Sequence, residues 1–260
     1  MQDVVLQIWQ FELVSHVLTL GYAAMAAALF YFILTKNDNS PEYRPSSVLS
    51  VVVMVSAAIL LFMQQQSWEA SFVLQQNDTF AVGDSLFTNG FRYLNWLIDV
   101  PMLLIQILFV AGIVGVAFKK YLVAFATNGV LMIVTGYIGQ FYEPGRDTEN
   151  IFLWIVWGVI STIFYVFVLI YITRVIKEGK ANMEGSSGQA LFAFILPLFY
   201  VAWTIYPVAY VMPLLPDLAT GLVLQQVIYT IADISSKVIY GVILNIVSTR
   251  LSVEKGFKQA

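Results

Sequence analysis

Three ionisable residues lie deep in apolar runs of this chain: Asp99, Asp233 and Lys237. A charge at the centre of a membrane-spanning helix costs at least about 2.5–3.5 kcal/mol on insertion scales, so each is a candidate for function. Lys237 sits near the middle of VLQQVIYTIADISSKVIYGVILNIVST, and Asp233 precedes it by four residues, one helical turn away on the same face. A buried lysine beside a carboxylate is either a structural ion pair between helices or an amine tuned for proton exchange or Schiff-base chemistry. Its distance from any snorkelling position favours the second. In FRYLNWLIDVPMLLIQILFV, Arg92, Asn95, Asp99 and Gln106 follow one another at steps of three, four and seven, which keeps them on one helical stripe. Either amide alone is common interhelical glue. The whole stripe, facing a buried aspartate and lysine, reads as a polar path. In WTIYP, Trp203 and Tyr206 share a face and Pro207 kinks the helix; Trp96 follows Asn95 on the other run. Aromatics at helical spacing are usually packing, but beside a lysine they also suit the walls of a slot for a flat apolar ligand.

The elements that position these residues follow from composition. Hydrophobic residues make up 59% of the 260 and charged residues 11%, against about 25% charged in soluble domains. Seven stretches reach the roughly 20 apolar residues that a spanning helix needs: 14–35, 47–66, 91–118, 121–142, 151–174, 189–212 and 222–249. Backbone groups in lipid must bond internally, so these runs are expected to be helices. The fold class is therefore an all-α membrane protein, a single seven-helix domain over 1–260 with a short N-terminal cap at 1–13. The segment 67–90, SWEASFVLQQNDTFAVGDSLFTNG, alternates apolar residues with turn signals and predicts a small hairpin. Cysteine is absent and His16 is the single histidine, which excludes disulfides, thiol catalysis and multi-histidine metal sites. The net charge of −3, without a dense basic cluster, gives no sign of nucleic acid. The opening MQDVVLQIWQ lacks a basic n-region, so the first span is expected to direct insertion.

Basic residues set the expected orientation. With the N-terminus outside and the C-terminus in the cytoplasm, the inner loops and tail hold Lys36, Arg44, Lys119, Lys120, Arg174, Lys177, Lys180, Arg250, Lys255 and Lys258. The outer side keeps Arg146 and, at the mouth of the third span, Arg92. This is a strong positive-inside asymmetry.

The residues also match a family. Seven spans with a lysine midway along the last resemble the microbial rhodopsins, and the local motifs RYLNW at 92–96, WTIYP at 203–207 and DISSK at 233–237 carry that resemblance. It extends over nearly the whole chain, through SHVLTLGYA at 15–23, NGFRYLNWLIDVPMLL at 89–104, TGYIGQFYE at 135–143 and YTIADISSKVIYGV at 229–242. The resemblance implies an all-trans retinal bound as a protonated Schiff base to Lys237. The third-span triplet Asn95, Asp99, Gln106 is similar to the NDQ signature of the light-driven sodium pumps, whereas outward proton pumps typically carry carboxylates at the first and last of these positions.

On that resemblance Asp99 is the counterion and transient proton acceptor, with Asp233 close by. A protonated Schiff base repels a passing cation in a low-dielectric site. Its transfer of the proton to Asp99 lowers the barrier, Na⁺ rests transiently near Asn95 and Asp233, and the returning proton closes the way back. Oxygen ligands suit this hard cation. The same resemblance places Trp96, Trp203, Tyr206 and Pro207 around retinal, with Gly136 and Trp157 at its ring end. It places Ser56 near the Schiff base, Gln64 further outward with Arg92, and Glu143 in the outer release region. His16 and Asp84 resemble a pair joining neighbouring protomers of a homo-pentamer, in a bacterial plasma membrane. Two departures stand out. Gln225 occupies the place, twelve residues before the lysine, where the family carries a basic residue, and Asn245 stands where it tends to have glycine. The first puts an Arg–Glu release pair with Glu143 in doubt, and the second the shape of the cytoplasmic entrance. The competing readings are an outward proton pump or a mixed Na⁺/H⁺ pump, a photosensor signalling through a transducer, and a seven-helix receptor or carrier without retinal.

Overall fold

The computed structural model describes residues 4–257; Lys258 and the first three residues of the expected N-terminal cap lie outside the described residues. Seven helical spans form the bundle: α1 (Ile8–Thr35), α2 (Arg44–Ser71), α3 (Gly90–Val110), α4 (Gly115–Gln140), α5 (Ile151–Asn182), α6 (Gln189–Tyr210), and a seventh built of α7 (Leu218–Asp233) and α8 (Tyr240–Glu254). All seven are long and apolar enough to cross a membrane. Their lipid-facing sides are apolar, as Leu34, Phe30, Val123 and Phe152 illustrate. With no water to hide from, these helices need not sort apolar from polar faces as soluble helices do.

Several boundaries differ from those read in the sequence. The third span ends at Val110 rather than at 118. Gly112 and Gly115 take φ values of +64° and +63°, the left-handed region that glycine enters without steric cost, and the chain turns there into α4. Lys119 and Lys120 consequently sit in the first turns of α4, and Arg174, Lys177 and Lys180 in the last turns of α5, instead of in loops. Between α7 and α8, Ile234–Ile239 form a π-helical turn. Such widened turns recur at functional sites, and this one carries Lys237.

One end of the bundle is closed by a small sheet. β1 (Val5–Gln7), β2 (Phe72–Leu74) and β3 (Thr79–Val82) are arranged β1-β3-β2, with Phe72 opposite Val82 and Val5 opposite Ala81. Both pairings are antiparallel. Asp78, at φ +57°, makes the turn between β2 and β3. An aromatic cluster anchors the sheet: Phe11 stacks on Phe80 with centroids 3.9 Å apart, and Trp68 Nε1 donates to Phe11 O at 3.2 Å. The larger core runs through the middle of the bundle and includes Met54, Trp96, Leu103, Phe199, Trp203 and Tyr240. The N-terminal ends of α3 and α7 lie at this sheet end; the C-terminal end of α8 lies at the opposite, tail end.

Candidate functional site

Every charged residue buried among the described residues lies between the bundle centre and the sheet end: Arg92, Asp99, Glu143, Asp233 and Lys237. Asp233 is their hub. Its Oδ2 accepts from Arg92 NH1 at 2.6 Å, and its Oδ1 accepts from Trp96 Nε1 at 2.9 Å, from Tyr206 OH at 2.8 Å and from Lys237 Nζ. Three spans therefore converge on one carboxylate, and the four-residue spacing of Asp233 and Lys237 becomes an ion pair inside one helix. Buried charges persist only when paired and hydrogen-bonded in this way. Arg92 is fixed further by Thr230 Oγ1 at 2.8 Å and Gln226 Oε1 at 3.3 Å.

Asp99 is placed differently. Its Oδ2 accepts from Asn95 Nδ2 at 2.6 Å, and that amide also donates to Ser56 Oγ at 3.1 Å. Its Oδ1 is buried without a partner. Among the described residues the core ion pairs are Arg92–Asp233 and Lys237–Asp233, and Asp99 is in neither. Gln106 lies further toward the tail end on the same helix and accepts from Ser50 Oγ at 2.9 Å. The stripe read from the spacing of α3 is thus buried along its length, but its carboxylate is not the one that pairs with the lysine.

Beside Lys237 opens a cavity of about 270 Å³, near the lower end of the roughly 300–1,000 Å³ of small-molecule sites. Trp96, Trp203, Tyr206, Pro207 and Gly136 line it. Trp157 does not. It packs against α4, where a Cβ built on Gly139 would lie 3.0 Å from its own Cβ. The face of α5 turned to the cavity carries Trp154, Gly158, Ser161 and Tyr165 instead, at steps of four, three and four. That spacing was available in the sequence, but α5 is apolar all round and nothing there chose between its faces. Tyr93, Tyr229 and Ser236 also line the cavity, beyond the residues that the sequence points to. The space is lined by aromatic and apolar side chains with one amine at its wall, which fits an apolar aldehyde joined to Lys237. A side chain at Gly136 would press on Tyr93, 3.1 Å from the built Cβ.

The remaining residues lie apart. Gln64 is buried and donates to Thr88 O at 3.0 Å. Glu143 is buried near the sheet end and accepts from Gln225 Nε2 at 2.5 Å. His16, on α1, and Asp84, just after β3, are both exposed. At the tail end Asn245 donates to Tyr31 OH and Thr35 Oγ1, at 3.1 and 3.0 Å, and accepts from Asn39 Nδ2 and Ser47 Oγ, both at 2.8 Å.

Comparison with known proteins agrees with this architecture. Residues 12–251 match the profile of the family described as bacteriorhodopsin-like protein. Bacteriorhodopsin-II of Haloarcula marismortui is 27% identical over 235 residues, covering 87% of this chain and 85% of the relative. The green-light absorbing proteorhodopsin of Gamma-proteobacterium EBAC31A08 is 23% identical, covering 85% and 80%. Among solved structures, xanthorhodopsin, a light-driven ion pump with dual chromophore, superposes with a TM-score of 0.87 at 30% identity, covering 98% of this chain and 99% of its own. A thermophilic rhodopsin gives 0.85 at 27% identity, covering 97% and 99%. The family implies a retinal chromophore held through a Schiff base, and the cavity beside Lys237 has the aromatic, apolar lining for one. With a profile match across nearly the whole sequence and the lysine, carboxylates and aromatic slot assembled in one bundle, the chain belongs to the bacteriorhodopsin-like family of microbial rhodopsins.

Proposed function

We propose that this protein is a light-driven pump that exports Na⁺, with retinal on Lys237, and that Asp99 takes up and returns the proton that gates the path. Retinal, when bound, supplies the light absorption, the isomerisation and a protonated imine at Lys237. Trp96, Trp203, Tyr206 and Pro207 would hold it on the sides, with Gly136, Gly158 and Trp154 toward its far end. The observation that carries the reading is the contrast between the two carboxylates. Asp233 spends both oxygens on Arg92, Trp96, Tyr206 and Lys237, so protonating it would break an ion-paired hub. Asp99 keeps Oδ1 free, which suits a proton acceptor.

Asn95 has a matching role. It holds Asp99 in place through one amide hydrogen bond and presents an uncharged oxygen, Oδ1, that is buried without a partner. Amide and carboxylate oxygens side by side suit a hard monovalent cation. With Lys237 charged, the centre repels that cation; with the proton on Asp99, the local positive charge is gone and the path opens. Gln106 supports the reading from the tail side, because an amide cannot hand a proton back to Lys237. The positive-inside bias supports a cytoplasmic tail end and an outer sheet end. His16 and Asp84, both exposed, suit a contact between neighbouring copies in a pentamer in a bacterial plasma membrane.

The test is illumination of expressing cells in NaCl medium. Export of Na⁺ draws protons in passively, so the medium alkalinises and a protonophore enlarges the signal. Acidification that the protonophore abolishes would overturn the sodium reading in favour of an outward proton pump. The free oxygen of Asp99 also suits that second reading.

A further inference from the structure

The hydrogen bonds that leave the Arg92–Asp233 pair continue to the sheet end. Arg92 Nε donates to Gln226 Oε1 at 3.3 Å, Gln226 Nε2 to Asn89 Oδ1 at 2.9 Å, Asn89 Nδ2 to Gln225 Oε1 at 3.0 Å, and Gln225 Nε2 to Glu143 Oε1 at 2.5 Å. Three amides thus connect the central pair to a carboxylate that is 2% exposed. The other oxygen of Glu143 accepts no hydrogen bond; it faces Arg146 Nε at 3.8 Å. Arg146 is itself 13% exposed, and its Nε and NH2 are buried without partners.

The loop between α4 and α5 fixes Arg146 there. Gly145 takes φ +82° and donates its N–H to Glu149 Oε2 at 2.7 Å. Arg146 N donates to Glu143 O at 3.2 Å, and Glu149 N donates to Arg146 O at 3.0 Å. A buried carboxylate oxygen and two buried nitrogens of a partly exposed guanidinium therefore stand one small movement short of hydrogen-bond contact. The other groups that face Glu143 are the amide of Gln225 and the phenols of Tyr93, Tyr210 and Tyr229 from α3, α6 and α7. Burial pushes Glu143 above the usual carboxylate range, and Arg146 opposes that.

We propose that Arg146 is a positioning residue of the exit: it holds Glu143 against the amide chain and keeps a positive charge beside that carboxylate. This rests on the outward-pump reading. A cation arriving along the amide oxygens displaces the guanidinium from Glu143; once the cation has left, the guanidinium returns and repels re-entrance from outside.

The test uses the full-length pigment in lipid vesicles with Arg146→Gln and Arg146→Lys. The carboxyl stretch of Glu143, identified by Glu143→Gln, is titrated by infrared spectroscopy in the dark, and light-driven Na⁺ flux is measured alongside. In Arg146→Gln, Glu143 is expected to stay protonated to higher pH and the flux to fall several-fold, with Arg146→Lys restoring both in part. An unchanged titration overturns the pairing, and a shifted titration with unchanged flux overturns the exit role. A wild-type protein that moves no Na⁺ in light overturns the pump reading and the exit role with it; the dark titration still decides the pairing, so the two failures are told apart.

Discussion

Between Lys237 and the sheet, the buried polar groups of the bundle include charges; between Lys237 and the tail end, those buried among the described residues are neutral amides and hydroxyls, and the Lys255–Glu42 ion pair there is exposed. On the sheet side Arg92, Asp233 and Glu143 are all buried, and each is tied to another charge or to an amide. On the tail side Ser50 bonds Gln106, and Asn245 joins Tyr31, Thr35, Asn39 and Ser47, with Thr249 Oγ1 donating to Asn39 Oδ1 at 2.9 Å. The difference has an energetic meaning. Breaking a buried ion pair leaves an uncompensated charge and costs about 3–5 kcal/mol, whereas a lost neutral hydrogen bond with a partner left unsatisfied costs about 1–3 kcal/mol. In the proposed pump a cation would therefore meet a tail half that can rearrange at modest cost and, among the described residues, carries no buried positive charge, and then a sheet half whose ion pairs must be traded. Such an asymmetry suits one-way passage.

The comparison breaks most completely at its pivot. Lys237→Ala removes the amine from the cavity, and the expected result is total loss of the visible absorption band on adding retinal. A covalent visible pigment in that variant would sink the site. Asp233→Asn comes next, because it strips Arg92 and Lys237 of their shared counter-charge. Unfolding in detergent should show a loss of about 3 kcal/mol, with a large shift of the absorption maximum. Asp99→Asn should leave stability nearly intact, since Asp99 is in no ion pair among the described residues, yet lower light-driven flux by about 100-fold or more, in the range lost with a proton-transfer group. If Asp233→Asn and Asp99→Asn behaved alike, the contrast drawn between the two carboxylates would fail.

The tail half should respond more gently. Asn245→Ala removes the side chain that bonds two residues of α1, one of α2 and Asn39. The expected cost is about 1–3 kcal/mol, with the absorption maximum unchanged because no charge near Lys237 moves. An absorption shift comparable to that of Asp233→Asn would mean that the tail network is coupled to the chromophore site and that the two halves are not distinct.

Much of this was legible in the sequence, and what was not shares a cause. The seven spans, the Asp233–Lys237 spacing and the α3 stripe stand out because a charge or amide in an apolar run is conspicuous. Trp157 rests on the family resemblance alone, and Trp154 is not marked in the sequence because α5 is apolar on every side, so periodicity does not show the inward face. The early end of α3 was hidden for a similar reason: VAGIVGVAF reads as continuous apolar helix, and only the positive φ of Gly112 and Gly115 shows the break. The Glu143–Arg146 proximity depends on how a ten-residue loop folds over the bundle, which neither spacing nor hydropathy encodes. β1 was unreadable because a three-residue strand takes its pairing from β3 rather than from its own pattern.

The smallest effects sharpen the sheet half. Burial raises Glu143 above the ordinary carboxylate range, so the folded protein holds that proton more tightly than the unfolded chain. The linked stability is fully present below the ordinary glutamate pKa and is lost as pH rises through the raised one. Thermal midpoints should therefore fall over that window, and Glu143→Gln should flatten the fall. Asp217 gives the opposite sign outside both networks. It caps α7, its Oδ2 accepting from Thr220 Oγ1 at 2.5 Å and Thr220 N at 3.3 Å, and these bonds hold it below the ordinary aspartate range. Its contribution is present above the ordinary aspartate pKa and lost as pH falls through the lowered value. Asp217→Ala should cost about 1 kcal/mol, as exposed caps do, while leaving absorption and flux per folded molecule unchanged. A flux loss in Asp217→Ala matching that of Arg146→Gln would show that the exit responds to any loosening at the sheet end, and the charged half would then owe its role to rigidity rather than to its charges.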